Sequence, residues 1–207
     1  MESEINGMGP VIRKEDLELL YEQLDTLKDD DVLVLAGSIP SGMPQSIYRD
    51  IMSRLQSKRI KIAVDATKDL LMNVLAYHPF VIKPNNHELS EIFDIMIDSK
   101  EKAVVYAKEL QKRGAQNVIV SMAGEGAVFV GSDGSVFTSE APHGVVKNSV
   151  GAGDSMVAGF LAGYLAKGDY AEAFKMGLCT GSASAFSDQL ATREEVEQVR
   201  RSHIFDF

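Results

Sequence analysis

Two rhythms of apolar residues run along the chain. Four short, nearly unbroken runs, DVLVLAG (31–37), IKIAVDA (60–66), FVIKP (80–84) and NVIVSMAG (117–124), are rich in β-branched and aliphatic residues and end in glycine, alanine or proline. Runs of this kind predict strands, and DVLVLAG reads as one buried on both faces. Between them the spacing turns helical. Ile47, Ile51, Met52 and Leu55 share one face of a helix expected over 45–56, with Pro44 suited to its first turn. Further helices are expected over 69–76, 86–96 and 100–113, then two long ones over 154–165 and 170–186, and a charged terminal helix from near Thr192. GAVFVGSDGSVFTS (126–139) reads as a hairpin turning at Asp133 and Gly134. Strands alternating with helices predict an α/β fold, a mostly parallel central sheet covered on both faces, with ligands bound beyond the carboxyl ends of the strands. With no internal repeat, low-complexity tract or linker, residues 1–207 are expected to form a single domain.

Composition narrows the function classes more than it narrows the fold. A net charge of -9 and a pI near 4.9 argue against a nucleic-acid groove, although backbone N–H groups and a few cations can still hold an anion. The single cysteine, Cys179, permits neither an internal disulfide nor a cysteine zinc cluster, and fits a reducing compartment. No apolar run reaches the roughly 18 residues that span a bilayer, and the opening MESEINGMG lacks the basic and apolar regions of a signal peptide. The expectation is a soluble, cytoplasmic protein that binds neither nucleic acid nor membrane.

Candidate chemistry collects at three junctions between elements. In SVGAGD (149–154), Gly151, Ala152 and Gly153 carry little or no side chain, so their N–H groups can come close to a ligand. The apolar positions Met156, Val157, Phe160, Leu161 and Tyr164 begin just afterwards. That puts the loop at a helix N-terminus, where free N–H groups and the macrodipole favour an anion. Asp154 then stands beside an anion hole suited to a transferring phosphoryl group, placed to take the proton of an attacking hydroxyl. A plain N-cap reads from the same hexapeptide. In KPNNHELSEIF (83–93), Asn85 and Glu88 open a helix; the carboxylate could hold magnesium through water, or the two residues could form a capping box. In SMAGEGA (121–127), Gly124 and Gly126 allow a nucleotide to pass close by or simply form a turn. Lys83 could face nucleotide phosphates from its strand end. Cys179 reads as a buried structural thiol, His87 as a solvated helix-start residue, and His143 as an ordinary loop residue with the option of touching a ligand.

Taken in order, these segments resemble the ribokinase-like (PfkB) carbohydrate kinases over almost the whole chain, and within that family the 1-phosphofructokinase branch most closely. NSVGAGDSMVAGF (148–160) is similar to the family's carboxyl-terminal signature, which implies Asp154 as catalytic base and Gly151, Ala152 and Gly153 as the anion hole. Asn85 and Glu88 match its magnesium-linked Asn-x-x-Glu motif. SMAGEG, that is Ser121, Met122, Ala123, Gly124, Glu125 and Gly126, matches its ATP-binding strand end, with Gly153 and Lys83 also on the nucleotide side. AGSIPSGMP (36–44), with Gly37 and Ser38, matches the segment lining the sugar-phosphate site beside Asp154, and GLCTGSASAF (177–186) resembles the adenine-side helix.

The resemblance implies a ribokinase-like three-layer sandwich, ATP and Mg2+ as cofactors, and transfer of the γ-phosphoryl group to the 6-hydroxyl of fructose 1-phosphate or a related sugar phosphate. Tagatose-6-phosphate kinases tend towards a serine in the middle of the anion-hole motif; Ala152 here favours fructose 1-phosphate. The family's early strands, β-lid and GGKG-N substrate-phosphate motif have no counterpart, and EINGMGP (4–10) resembles the family's middle with Met8 at an expected proline. The expectation is the carboxyl-terminal part of such a kinase, active or a silent nucleotide-binding module, missing the amino-terminal strands and lid. Its exposed sheet edge would invite homodimerisation or other association.

Overall fold

The computed structural model describes residues 9–40 and 42–207; most of EINGMGP, including Met8, and Ser41 of the expected sugar-phosphate segment lie outside the described residues. Six strands, β1 (Val32–Ala36), β2 (Lys61–Asp65), β3 (Val81–Ile82), β4 (Asn117–Ser121), β5 (Ala127–Val130) and β6 (Val136–Ser139), form one sheet in sequence order. The first four pair in parallel, and the last three are joined by antiparallel pairings. Eight α-helices accompany them: α1 (Lys14–Asp25), α2 (Ile47–Leu55), α3 (Lys68–Met72), α4 (Asn86–Phe93), α5 (Lys100–Lys112), α6 (Ala152–Lys167), α7 (Tyr170–Phe186) and α8 (Arg193–Ser202), all among the described residues.

Because successive strand residues point to opposite faces, each buried run feeds two cores. Ile62, Val64, Ile82, Val118, Val120, Val128 and Val130 pack against apolar residues of α1 to α5 on one face. Ala63, Val81, Ile119, Ala127 and Phe129 meet α6 and α7 on the other. The result is the expected three-layer sandwich. Phe129 is fully buried at the centre of the second core, with the rings of Phe137, Phe160, Tyr170 and Phe174 centred 5.3 to 5.9 Å from its own.

Small residues bring α6 and α7 into backbone contact. A Cβ on Gly159 would lie 2.7 Å from the Met176 carbonyl oxygen, and one on Gly181 would lie 3.0 Å from that of Ala152. Close packing of this kind fixes where α6 begins, and therefore where its first turn points.

Three expectations change. DVLVLAG is not buried on both faces: β1 has a strand partner only in β2 among the described residues, and Val34 is 47% exposed while Leu35 is 6% exposed. The helix expected over 69–76 divides. α3 stops at Met72, and a tighter turn over Leu75–Tyr77 buries Val74 and Leu75 before the chain enters β3. The helix expected over 86–96 ends at Phe93, where Asp94 takes a left-handed conformation, φ 52°. Helix α1 is additional to the expected elements. No helix among the described residues is long and apolar enough to cross a membrane.

Candidate active site

Register aligns the carboxyl ends of the parallel strands. Ala36 pairs with Asp65, Val64 with Ile82, and Asn85 bridges to Ser121. Four segments therefore leave the sheet side by side: Gly37 and Ser38 after β1, Asp65 closing β2, residues 83–85 after β3, and residues 121–126 around the end of β4. The first turn of α6 meets this row at β3. A Cβ on Gly153 would stand 3.1 Å from Lys83 Nζ.

Gly151 caps α6 with φ 80°, in the left-handed region that favours glycine, so Asp154 is the third residue of the helix and not its cap. The Ala152 N–H donates to the Ser149 carbonyl (3.1 Å), and the first full helical bond runs from the Ser155 N–H to the Gly151 carbonyl (2.9 Å). The N–H groups of Gly153 and Asp154 fall between these and have no backbone acceptor among the described residues. The Ser184 hydroxyl donates to Ser155 Oγ (2.9 Å) and accepts from the Ala191 N–H (3.1 Å), tying the first turn of α6 to α7 and the loop beyond it. The Asp154 side chain is exposed, next to this free helix end.

Beneath Gly153 lies a buried ion pair. Lys83 is 7% exposed, and its ammonium is 3.2 Å from Asp65 Oδ2. Burial pushes the Asp65 carboxyl above its ordinary range; the Lys83 charge pulls it back, and the negative charge of Asp154 raises it again. Asp154, Asp65 and Lys83 thus form one electrostatic group. Asp65 is absent from the sequence-based candidates, because an acid before a turn carries no signal until β2 and β3 are known to be neighbours. Asn85 and Glu88 form a reciprocal capping box: Asn85 Oδ1 accepts from the Glu88 N–H and Glu88 Oε2 from the Asn85 N–H, both at 2.8 Å. The Tyr48 hydroxyl donates to the carbonyls of Ala36 (2.7 Å) and Gly37 (3.1 Å), holding the end of β1.

A cleft of about 640 Å³ opens above these strand ends. Its walls are Asn85, Asn86 and His87 from the start of α4; Ser121, Ala123, Gly124 and Gly126 after β4; the 140–144 loop with His143; Ala152, Gly153 and Met156 of α6; and Gly181, Ser182, Ala185 and Phe186 of α7. Gly126 has φ 89°, and a Cβ there would strike the Ser139 carbonyl, whereas Gly124 faces open space. The Phe186 ring lies against Gly144, leaving no room for a side chain. The cleft thus combines an apolar wall from α7 with the N-terminus of α6.

Several expected site residues do not line it. Lys83 lies below Gly153, Met122 is buried (3% exposed), and Gly37 and Ser38 stand at the far end of the row, across β2. Gly151, Asp154, Glu88 and Glu125 flank lining residues without forming the wall. His87, exposed at the start of α4, and His143, exposed in its loop, hold the positions expected from sequence and also line the cleft.

Comparison with known proteins agrees with the fold described above. The pfkB family carbohydrate kinase profile matches residues 1–195. The chain is 45% identical over 198 residues to the 1-phosphofructokinase of Bacillus subtilis, covering 96% of this chain and 65% of that protein. It is 29% identical over 198 residues to the D-tagatose-1-phosphate kinase of Bacillus licheniformis, covering 95% and 65% respectively. The crystal structure of phosphofructokinase-2 from Escherichia coli in complex with substrates and products superposes with a TM-score of 0.87 at 26% identity, over 95% of this chain and 64% of that one. The chain thus spans just under two thirds of the length of these relatives. With the family profile, the sequence relatives and the three-layer fold in agreement, the chain belongs to the pfkB family of carbohydrate kinases.

Proposed function

We propose that this chain carries the nucleotide-binding and phosphoryl-transfer part of a cytoplasmic 1-phosphofructokinase, which uses ATP to convert fructose 1-phosphate to fructose 1,6-bisphosphate. The observation that supports it most is the meeting of a free helix N-terminus, the buried Lys83 ammonium and the exposed Asp154 carboxylate beside an apolar cleft.

The residues divide the work along the cleft. Ala185, Phe186 and Gly181 offer an apolar slot for the nucleotide base. Gly124 and Gly126 let the phosphate chain run close to the backbone after β4, and with Ser121 and Ala123 they form that floor. The N–H groups of Gly153 and Asp154, with Lys83 behind them, hold the transferring phosphoryl group and the negative charge that builds on its oxygens. Asp154 accepts the proton of the attacking sugar hydroxyl. Gly37 and Ser38 present the acceptor from the β1 end of the row. Exclusion of water by the apolar wall favours transfer to the sugar over hydrolysis.

Magnesium, when bound, supplies positive charge to the phosphates. Glu88 Oε2 is taken by the cap and Oε1 remains, so Asn85 and Glu88 suit a hydrated ion.

A tagatose phosphate is the second reading, favoured by the named tagatose kinase relative; the identity of 45% against 29% supports fructose 1-phosphate over it. An ADP-release assay with fructose 1-phosphate, tagatose 1-phosphate and tagatose 6-phosphate, beside calorimetry with ATP and magnesium, separates the possibilities. Fructose 1-phosphate is expected to give the highest kcat/KM. ATP binding without turnover would reduce the chain to a silent nucleotide-binding module, and no ATP binding would remove the reading altogether. Self-association is assigned to the open edge of β1, where Val34 is exposed. Val34→Lys is expected to shift sedimentation towards monomer, and an unchanged profile would remove that assignment.

A further inference from the structure

We infer that Asp65 is a positioning residue, whose carboxylate holds the Lys83 ammonium under Gly153 at the phosphate end of the cleft. The inference rests on the reading of this cleft as an ATP site and adds to it a residue that touches no ligand. Neither Asp65 nor Lys83 lines the cleft wall; Lys83 approaches it at Gly153, and Asp65 pairs with Lys83.

The geometry is specific. Lys83 directly follows β3 and Asp65 ends the neighbouring parallel strand β2; the Lys83 N–H donates to the Val64 carbonyl at 3.3 Å, and the two side chains close the 3.2 Å ion pair. The Asp65 backbone is itself fixed, because its carbonyl accepts from the Gly37 N–H at 3.1 Å. An ammonium has three donors. Asp65 is the one side-chain partner of Lys83 among the described residues, so donors remain for an anion arriving above Gly153. A lysine exposed by only 7% needs a counter-charge: without one the side chain swings towards water and leaves the space beneath the anion hole. Mounting both partners on strand ends, and not on a loop, keeps the ammonium aimed before the nucleotide arrives.

The test measures binding of ATP and of adenosine, both with magnesium, to the chain and to Asp65→Asn, Lys83→Gln and the double variant, with thermal melting to establish folding. Asp65→Asn is expected to weaken ATP about tenfold, the scale of one charge-assisted hydrogen bond, and to leave adenosine within about twofold. The double variant is expected to bind ATP no more weakly than Lys83→Gln alone. It buries no orphan ammonium, so this comparison holds even if Asp65→Asn fails to fold. A double variant clearly weaker towards ATP than Lys83→Gln, or a folded Asp65→Asn that binds ATP normally or loses adenosine and ATP equally, would overturn the role of Asp65 and leave the ATP site standing. Wild-type chain that binds neither compound would remove both.

Discussion

A single methyl group at position 153 decides where Lys83 can stand. The Cβ of Gly153→Ala would sit 3.1 Å from Nζ and 3.5 Å from Cε of that lysine, tighter than ordinary contact, and the flexible stem would give way. Alanine suits a helix, so the fold should tolerate the change. ATP affinity is expected to fall about tenfold with melting temperature nearly unchanged, measured by calorimetry and thermal melting; unchanged affinity would contradict the placement of Lys83. At this scale the sequence is uneven. Gly151, Gly153 and Asp154 are legible because small residues and an acid stand directly before a helical apolar pattern. Asn85 and Glu88 are legible as a pair but with two meanings, and the structure places them in a capping box whatever else they do. Asp65 is illegible, since its meaning depends on a strand that follows in sequence and adjoins in space.

Helices α6 and α7 show what glycine does for an element. A Cβ on Gly159 would meet Thr180 Oγ1 at 2.5 Å and the Met176 carbonyl at 2.7 Å, so α6 would have to move away from α7, carrying its first turn with it. Gly159→Ala is expected to cost about 1 to 3 kcal/mol. At this chain length each kcal/mol lowers Tm by about 2 to 4 °C, which calorimetric melting reads directly. An unchanged Tm would mean that the two backbones are not held in contact. The long helices and the hairpin are legible from period and turn residues alone; Gly134, with φ 86°, stands in the turn between β5 and β6 as expected. Helix α1 carries the same kind of signal, with Leu17, Leu20, Tyr21 and Leu24 at helical spacing, yet falls outside the sequence-based expectations. The break after α3 is not legible, because burial of Val74 and Leu75 by the tighter turn is a tertiary demand.

Charge and burial set the behaviour of the whole molecule. Burial pushes the Cys179 thiol up to about 11 from 9.0, so the unfolded chain ionises first and stability falls as pH rises from about 9 towards 11. Burial, then the charge of His143, hold His203 below 6.5; the unfolded chain takes the proton first, and stability falls as pH drops through that value. A urea-midpoint profile from pH 5 to 11 should therefore peak between these limits, with Cys179→Ala flattening the start of the alkaline arm. A midpoint rising above pH 9 would contradict the burial of the thiol.

The Asp154 carboxylate stands beside free helix N–H groups, and its proposed role is to deprotonate the acceptor hydroxyl. Asp154→Asn tests that role most directly through kcat and ATP affinity measured side by side. The predicted result is a kcat lower by about two to four orders of magnitude with ATP affinity preserved. Near-normal turnover in that variant would contradict it.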